Sequence, residues 1–334
     1  MIISRTPFRI SLFGGGTDYA PWVARYGGAV LGLAIDKYCY ISLRKLPPFF
    51  DYKHRIVYST VENVKEISEI KHPAVRGLFQ DFGVTTGLEL HHDGDLPARS
   101  GLGSSSSFTV GLISALNAME GRMVHKRQLA SEAIRIEQQV LAENVGCQDQ
   151  IWAAYGGLNR IDFKTDGTFG VLPMIIPPSR RRQLVDSMML VFTGLSRIAS
   201  EIAKDQIDNI DKKEAQLAAM RRMVDIGESI LCDEREPIER LGDLLHEAWM
   251  LKRTLSSKVT TPETDAIYEA ARAAGASGGK LMGAGGGGFM VFIVRPDLKP
   301  KVREALRNLV HVKFNIDTQG SKIMVYEPDD DNEI

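Results

Sequence analysis

The chain has 334 residues, of which 44% are hydrophobic and 25% are charged, and its 41 basic and 42 acidic residues leave a net charge of −1. This composition is typical of a folded protein with one large or two ordinary domains and excludes a disordered chain. The near-zero charge argues against nucleic acid or an anionic membrane as partner and favours small ligands.

The three cysteines, Cys39, Cys147 and Cys232, are far apart in the sequence. They suit neither a disulfide framework nor a zinc site, so we expect a reducing, cytoplasmic location. No apolar run approaches the roughly 20 residues that span a bilayer, and the first nine residues lack the long apolar core of a signal peptide. We therefore expect no membrane association.

The first part of the chain alternates between strand and helix patterns. Phe8, Ile10 and Leu12 alternate with polar neighbours, as do Cys39, Ile41 and Leu43, and this period of two predicts half-buried strands. Shorter strands are predicted at 55–60 and 87–92, and helical spacing of apolar residues predicts helices from the serine run at 104–107 onward and over 127–144. The first part is therefore mixed α and β.

A Pro-Pro pair and an arginine run at 177–183 interrupt this pattern, and we place a domain boundary there, between domains 1–182 and 183–334. The second domain is predicted to contain helices at about 198–231, 237–256, 262–274 and 298–310, with strands at 188–194, 289–294, 311–316 and 322–326. The sequence thus predicts an α+β fold of two domains, the second with helices packed on a small antiparallel sheet.

The segment GGGTDY at 14–19 follows the first strand with three consecutive glycines and an aspartate. Glycine permits positive φ and lets a ligand or another segment approach the backbone closely. By itself the segment fits a tight structural corner or part of a binding site, since glycine and aspartate are ordinary turn residues.

The segment PARSGLGSSSSF at 97–108 leads a glycine-serine loop into an apolar helix. The N-terminus of a helix has unpaired N–H groups and a partial positive charge, so this loop predicts a phosphate site that includes Gly101, Leu102, Gly103 and Ser104–Ser107. It is not a Walker A motif, because the required lysine is missing. The alternative is that the serines only cap the helix, but one cap needs one serine.

The segment GAGGGG at 283–288 formally matches a dinucleotide-binding fingerprint. That fingerprint must precede a helix, whereas a strand pattern follows here, so a Rossmann site is excluded. What remains is a bare loop able to lie against another segment, such as the first glycine loop, or a structural hairpin.

Two carboxylates flank the end of the second predicted helix. Of Glu137 and Asp149, one could serve as a magnesium ligand and the other as a general base, although isolated carboxylates are usually solvated surface groups. His91 and His92, which lie beside two aspartates, are predicted to be a solvated strand end, because adjacent strand residues point to opposite faces.

The three segments TPFRISLFGGGTDY, PARSGLGSSSS and GGKLMGAGGGGF resemble, in order and separation, the three motifs of the GHMP kinases. The resemblance extends from residue 5 to about residue 294. It implies a two-domain α+β fold with ATP in the cleft between the domains, Mg²⁺ as cofactor and a small-molecule acceptor. The glycine-serine loop, Gly283 and Gly285 would then bind the nucleotide.

The resemblance also implies roles for single residues. Asp149 matches the catalytic aspartate, and Arg9 matches the basic residue that faces it. Glu137 matches the magnesium-binding glutamate, and Ser105 matches the serine that completes the metal site. Asp18 matches the aspartate that holds sugar hydroxyls.

GGGTDY and VGCQDQ are most similar to the branch that phosphorylates sugars at the anomeric hydroxyl, which includes D-glycero-D-manno-heptose 7-phosphate kinases and L-fucokinases. Gly15 and Gly16 replace the Glu-His pair of galactokinase, which implies a roomier pocket lined by Gly15, Gly16, Thr17, Asp18 and Tyr19. A heptose 7-phosphate acceptor requires a cation for its own phosphate. We expect Arg197 there, with Arg25 and Lys37 as weaker candidates.

The alternatives are an L-fucokinase or other sugar-1-kinase and, from another class, a sugar-sensing regulator without turnover, because fold does not fix function. Retention of Asp149, Glu137 and Ser105 together argues against the regulator. A homodimer is left open by the sequence.

Overall fold

The computed structural model describes residues 1–194 and 199–328, and within them the chain forms two β-sheets with helices packed on both. The strands are β1 (Ile2–Phe13), β2 (Gly28–Lys45), β3 (His54–Val57), β4 (Val61–Val64), β5 (Leu88–Gly94), β6 (Leu158–Phe163), β7 (Phe169–Pro173), β8 (Met188–Phe192), β9 (Ala276–Leu281), β10 (Phe289–Val294), β11 (Val310–Val312) and β12 (Lys322–Tyr326). The helices are α1 (Ala20–Tyr26), α2 (Pro73–Asp81), α3 (Ser104–Met119), α4 (Lys126–Arg135), α5 (Gln148–Tyr155), α6 (Pro178–Ser187), α7 (Ala199–Asp208), α8 (Glu214–Cys232), α9 (Glu239–Arg253), α10 (Pro262–Ala273) and α11 (Lys299–Ala305).

The first sheet is built around the two long strands predicted near the N-terminus. Its order is β12-β1-β2-β5-β3-β4, and β6 and β7 continue it beside the first part of β2. The pairs are antiparallel except β3 with β5. Phe8, Ile10 and Leu12 are buried as the alternation predicts, and helices α3 and α5 pack on β1. The ends of β1 and α3 therefore lie together.

The second sheet has the order β11-β8-β10-β9, with all neighbours antiparallel. Helix α9 packs on β9 and β10, and α10 packs on β9. Trp249, Tyr268 and Phe292 lie in the buried cluster beneath them. The predicted small antiparallel sheet with helices on it is confirmed.

The last predicted strand belongs to the other sheet. The assignment of all of 183–334 to the second layer is wrong for β12, which pairs with Ile2–Arg5 of β1. The pairing satisfies backbone groups along an edge of β1 that would otherwise lack partners. The predicted boundary after residue 182 falls inside α6, just before β8 opens the second sheet.

Several helices differ from their predicted extent. The helix predicted at 198–231 is divided into α7 and α8, with a single 3₁₀ turn between them at Ile210–Lys212. The helix predicted at 127–144 changes after α4 into a π-helical segment, Ile136–Val140, which contains Glu137. The sequence patterns did not predict helices α1 and α2. Among the described residues, no helix has both the length and the hydropathy needed to cross a bilayer.

Candidate active site

A cleft of about 850 Å³ lies where the end of β1, the start of α3, the start of α5 and the β9–β10 hairpin meet. Its lining includes most of the residues that the three motifs predicted: Arg9, Gly15, Gly16, Asp18, Tyr19, Gly101, Gly103, Ser104, Ser105, Ser106, Asp149 and Gly283. Residues that are separated by more than 250 positions in the sequence therefore share one cavity.

The glycine-serine loop enters α3 through a left-handed backbone. Gly101 and Gly103 have φ of 83° and 78°, and Gly103 occupies the N-cap position of α3. Because Gly103 has no side chain, no side-chain hydrogen bond caps this helix. The interpretation that the serines cap α3 is therefore wrong, and the first-turn N–H groups are left for a ligand.

The four serines have four different environments. The Ser104 hydroxyl accepts a hydrogen bond from the backbone N–H of Arg99 (3.0 Å), and Ser105 is exposed in the cleft. The Ser106 hydroxyl donates to Glu137 (2.9 Å), and the Ser107 hydroxyl donates to the backbone carbonyl of Pro7 (2.8 Å). Ser107 therefore anchors α3 to β1 and does not line the cleft.

Three further residues predicted in the site have structural positions. Leu102 is fully buried, and its carbonyl accepts a hydrogen bond from the Arg9 N–H (3.0 Å). The Thr17 hydroxyl bonds the carbonyls of Gly14 and Ala29, so Thr17 closes the turn after β1. Gly285 packs on Val259, and a Cβ there would lie 2.6 Å from the Val259 carbonyl oxygen. Leu102, Thr17 and Gly285 are all buried, and none of the three lines the cleft.

The two glycine loops contact each other directly, which confirms the close approach that the bare backbone of 283–288 predicted. A Cβ on Gly283 would lie 2.7 Å from the Cα of Gly101, and a Cβ on Gly288 would lie 2.2 Å from the carbonyl oxygen of Ser100. That same carbonyl accepts a hydrogen bond from Phe289 N–H (3.0 Å). Only glycine permits this backbone contact between the two halves.

Arg9 and Asp149 form a bidentate pair at the floor of the cleft. Nε and Nη2 of Arg9 donate to the two Asp149 oxygens at 2.8 and 2.6 Å. The arginine side chain is 6% exposed and the aspartate 23%, so one edge of the carboxylate faces the cleft. Asp149 also lies against the glycine-serine loop, which is the predicted phosphate loop, since a Cβ on Gly103 would be 3.3 Å from Asp149 Oδ2.

Asp18 is buried beside this pair. Its Oδ1 accepts from Gly16 N–H and its Oδ2 from Gln148 Nε2, each at 2.9 Å. Burial is the main reason that the pKa of Asp18 lies above its ordinary value, and the nearby Asp149 carboxylate adds to it. The oxygen Oε1 of Gln148 and the hydroxyl of Ser11 are buried without a partner among the described residues, and both residues line this part of the cleft.

Glu137 is fully buried near the start of the π-helical segment. Its Oε2 accepts from the Ser106 hydroxyl and from Gln150 Nε2, whereas Oε1 has no partner among the described residues. Burial, followed by repulsion from Glu143, raises the pKa of Glu137 to about 8. The serine that contacts Glu137 is therefore Ser106, one position after the predicted Ser105.

The far end of the cleft is aromatic, which sequence patterns did not reveal. The His72 ring stacks on Phe108 with 4.8 Å between centroids, and His92 meets the same ring edge-on at 5.0 Å. His91 is on the opposite face and pairs with Glu89. The opposite orientation of the two histidines is thus confirmed, but the solvated strand end is wrong for His92, whose pKa is lowered by burial.

Two buried lysines were also missed. Lys252 of α9 and Lys280 of β9 line the cleft from the second half of the molecule. Lys252 lies in none of the quoted motifs, and Lys280 lies in the segment GGKLMGAGGGGF, but no role was predicted for it.

The cations proposed for a substrate phosphate are not gathered in the described part of the cleft. Arg25 pairs with Asp211 at the surface, and Lys37 lines a separate groove of about 390 Å³. Neither residue is among those that line the cleft. Arg197 lies outside the described residues.

Comparison with known proteins decides the family. Two family models match the chain, GHMP kinases N terminal domain over residues 67–157 and GHMP kinases C terminal over residues 231–312. A D-glycero-alpha-D-manno-heptose 7-phosphate kinase of Campylobacter jejuni is 30% identical over 318 residues, covering 92% of this chain and 93% of the relative. The chain belongs to the GHMP kinases. It is therefore a kinase, and the two-domain α+β expectation is confirmed.

Other GHMP kinases match more distantly. A bifunctional L-fucokinase/L-fucose-1-P guanylyltransferase of Bacteroides fragilis is 26% identical, over 92% of this chain but only 36% of the relative. The crystal structure of a D-glycero-D-manno-heptose 1-phosphate kinase from Bacteroides thetaiotaomicron has a TM-score of 0.79 at 22% identity, covering 98% of this GHMP kinase and 100% of that chain. At 22% identity, this structural similarity shows a shared fold alone.

Proposed function

We propose that this GHMP kinase transfers the γ-phosphoryl group of ATP to the anomeric hydroxyl of a sugar, and that the acceptor is D-glycero-D-manno-heptose 7-phosphate. The observation that carries the reaction class is the Arg9–Asp149 pair placed against the phosphate loop. The Campylobacter jejuni relative, 30% identical over nearly the whole chain, supports the acceptor. The fucokinase relative keeps L-fucose as the second candidate.

In the proposed reaction, the side chains mainly position groups and stabilise charge. The exposed edge of Asp149 accepts the hydrogen bond of the attacking hydroxyl and takes its proton, while Arg9 keeps Asp149 ionised and correctly turned. The N–H groups at the start of α3 hold the phosphates. The aromatic surface around Phe108 then lies at the open end of the loop, where the nucleotide base would pack.

The residues present fit a magnesium ion. Glu137 Oε1 is a buried carboxylate oxygen without a partner among the described residues, and hard cations prefer such oxygens. No cluster of three or more His, Cys, Asp or Glu side chains suited to a metal occurs in the described ranges. This agrees with a metal held by few protein atoms and by phosphates. We propose Glu137 and the predicted Ser105 as its protein ligands; the bound ion would neutralise phosphate charge.

For the sugar, we propose that Asp18 and Tyr19 bind hydroxyl groups and that Gly15 and Gly16 leave room for the ring. A Cβ on Gly15 would stand 3.7 Å from Ser11 Oγ and from Gln148 Nε2, so two polar side chains flank this space. Arg197 remains the proposed partner of the acceptor's own phosphate.

The test is a competition of acceptors. ATP consumption and kcat/KM are measured for the heptose 7-phosphate, the same heptose without phosphate and L-fucose, each also with Arg197→Ala. A charge-assisted contact of about 1.5–3 kcal/mol gives the phosphorylated sugar at least a tenfold advantage, which Arg197→Ala lowers. A preference for L-fucose, or equal use of the unphosphorylated heptose, contradicts the acceptor. An absence of turnover with every sugar contradicts the sugar kinase assignment.

A further inference from the structure

Two lysines from the second half of the molecule line the cleft with almost no solvent exposure. Lys252 is 7% exposed and Lys280 is 4% exposed, although lysine is rarely buried without a carboxylate partner. They come from different elements, α9 and β9, and both face the space next to Arg9, Asp18 and Asp149.

Neither lysine has a carboxylate partner among the described residues. Lys252 Nζ donates to the carbonyls of Leu281 (3.2 Å) and Gly283, and Lys280 Nζ donates to the carbonyl of Leu12 (3.0 Å). An ammonium group has three donors, so one donor of Lys252 and two of Lys280 have no acceptor among residues 1–194 and 199–328. Burial of an unpaired charge is costly, and two such charges lie in one cavity.

Holding loops together does not explain this arrangement. Lys126 Nζ also joins two backbone carbonyls, those of Tyr155 and Gln319, and does so at the protein surface. A lysine can therefore make such a link while its charge stays solvated. The burial of Lys252 and Lys280 beside a further cation, Arg9, favours a function that needs positive charge inside the cleft.

The positions of the lysines indicate which anion they would meet. Lys252 is bonded to Gly283, and Gly283 touches Gly101 of the phosphate loop. Arg9 is already engaged by both oxygens of Asp149. The unpaired positive charge therefore comes from the two lysines: Lys252 lies beside the loop through Gly283, and Lys280 is close enough to Lys252 and Arg9 to interact electrostatically with both.

We propose that Lys252 and Lys280 bind the oxygens of the phosphoryl group while it passes from ATP to the acceptor, and then hold it as the phosphate of the product. In this step the bond between the γ-phosphorus and the oxygen of ADP breaks, and a bond from the phosphorus to the acceptor oxygen forms. The hydroxyl proton goes to Asp149. The proposal uses the kinase reaction of the proposed function but does not depend on which sugar is the acceptor.

Burial also makes these lysines responsive to an anion. Burial is the main reason that the pKa of Lys252 is lowered to about 7, with Arg9 adding to it, and the pKa of Lys280 is lowered in the same direction. Asp18 and Asp149 oppose this shift. An anion that binds next to Lys252 raises its pKa, so binding at about pH 8 takes up a proton from the buffer.

The experiment uses ADP with magnesium and aluminium fluoride, which stands in for the transferred phosphoryl group and requires no sugar. Isothermal titration calorimetry measures the affinity of wild type, Lys252→Met, Lys280→Met and the control Lys126→Met. We expect each cleft variant to bind the aluminium fluoride complex at least tenfold more weakly, with ADP affinity changed less than twofold. Equal affinity in all four proteins overturns the proposal.

Two further measurements separate charge from folding. Lys252→Gln keeps a donor for the Gly283 carbonyl but removes the charge, whereas Lys252→Arg keeps the charge, and thermal unfolding shows whether each variant is folded. Weak binding in the Gln variant and recovery in the Arg variant support the proposal. Full binding by Lys252→Gln means that the residue only holds the loop. Titration in buffers of different ionisation enthalpy should show proton uptake at about pH 8 in wild type and less in Lys252→Met; equal uptake contradicts a charge role.

Because no sugar is present, failure of this experiment leaves the acceptor assignment untouched. Conversely, if no sugar in the panel is phosphorylated, the result for binding of the aluminium fluoride complex is unaffected.

Discussion

The two sides of the cleft present different kinds of chemical groups. The side that belongs to the first sheet presents charged side chains that already have partners, such as Asp149 with Arg9 and Glu137 with Ser106. The side that belongs to the second sheet presents the bare backbone of 283–288 and two lysines without carboxylate partners among the described residues.

This difference separates two tasks. Hydrogen-bonded side chains on the first side are fixed before a ligand arrives, and such preorganisation suits groups that act on the reacting atoms. On the second side, close backbone contact shapes the cavity and unpaired charge awaits an anion. Substitutions on the first side should therefore act through the proposed base and the proposed metal ligand, and substitutions on the second side should act through the contact between the loops and the charge that meets the transferred phosphoryl group.

The largest effect is expected from Asp149→Asn on the first side. The substitution removes the proposed base while keeping the shape, so kcat should fall by about 10²–10⁴. The affinity for ADP should stay within about twofold, because the phosphate loop is unchanged. Steady-state kinetics and calorimetry measure the two quantities, and a kcat within tenfold of wild type would remove Asp149 from this role.

Glu137→Ala should raise the magnesium concentration needed for half-maximal rate by about tenfold, because a buried carboxylate ligand is lost. Ser105→Ala and Ser106→Ala, compared under the same conditions, distinguish the predicted ligand from the serine that bonds Glu137. Glu132→Ala removes a carboxylate that pairs with Arg135 on the surface of α4 and serves as the control. An unchanged magnesium titration for Glu137→Ala would place the ion elsewhere.

On the second side, Gly283→Ala tests the contact between the loops. Gly283 has φ of 68° and would place a Cβ against the backbone of Gly101. Gly167→Ala is a matched control, since Gly167 has φ of 81° with no atom within 4 Å of the added Cβ. The control should lose about 1–2 kcal/mol of unfolding free energy from backbone strain alone, and Gly283→Ala roughly 1–3 kcal/mol more. Equal losses in urea unfolding would mean that the loops separate freely.

The smallest effects are expected in the pH dependence of stability, where each side has its own range. Burial lowers the pKa of His72 from 6.5 to about 4. Its contribution to the free energy of unfolding is present above about pH 6.5 and is lost as the pH falls to about 4. Burial likewise lowers the pKa of Lys252 from 10.5 to about 7, so its contribution to stability should grow as the pH rises from about 7 toward 10.5, and the lowered pKa of Lys280 acts in the same direction.

Urea unfolding at several pH values measures both ranges. His72→Gln should reduce the pH dependence of the unfolding free energy in the lower range and leave the upper range unchanged. Lys252→Met should reduce it in the upper range and leave the lower range unchanged. His91→Gln is the control for the lower range, because His91 lies on the face of β5 opposite to His92. A variant that changes both ranges equally would contradict the assignment of one range to each side.

The sequence predicted the first side of the cleft better than the second. Arg9, Asp18 and Asp149 lie in short motifs in which each residue type has a chemical reason, and the structure brings them together. The assignment of Glu137 and Ser105 to one metal site stays a prediction, but the sequence did not indicate that the Glu137 carboxylate bonds the next serine, Ser106. The helix widens into a π-helical segment around Glu137, and local periodicity does not report which serine such a segment meets.

The lysines on the second-sheet side of the cleft were not predicted from the sequence, for a different reason. Lys252 belongs to an ordinary helix pattern of α9, and the motif that contains Lys280 gives no sign that its side chain is buried; only the packing of α9 and β9 brings both side chains into the cleft. The pairing of β12 with β1 was missed likewise, because it joins residues more than 300 positions apart. Contacts at such separation follow from the closure of the whole fold and leave no local pattern.

That pairing of β12 with β1 also limits how the molecule can be divided. A fragment ending at residue 182 contains the phosphate loop, Glu137 and Asp149, yet it lacks the strand that covers the edge of β1. Exposed strand edges invite association with other chains. Such a fragment should aggregate alone and be rescued by a separately supplied fragment that contains β12. During synthesis β12 emerges after every strand of the second sheet, so the first sheet, which begins the chain, is the last to receive its edge strand.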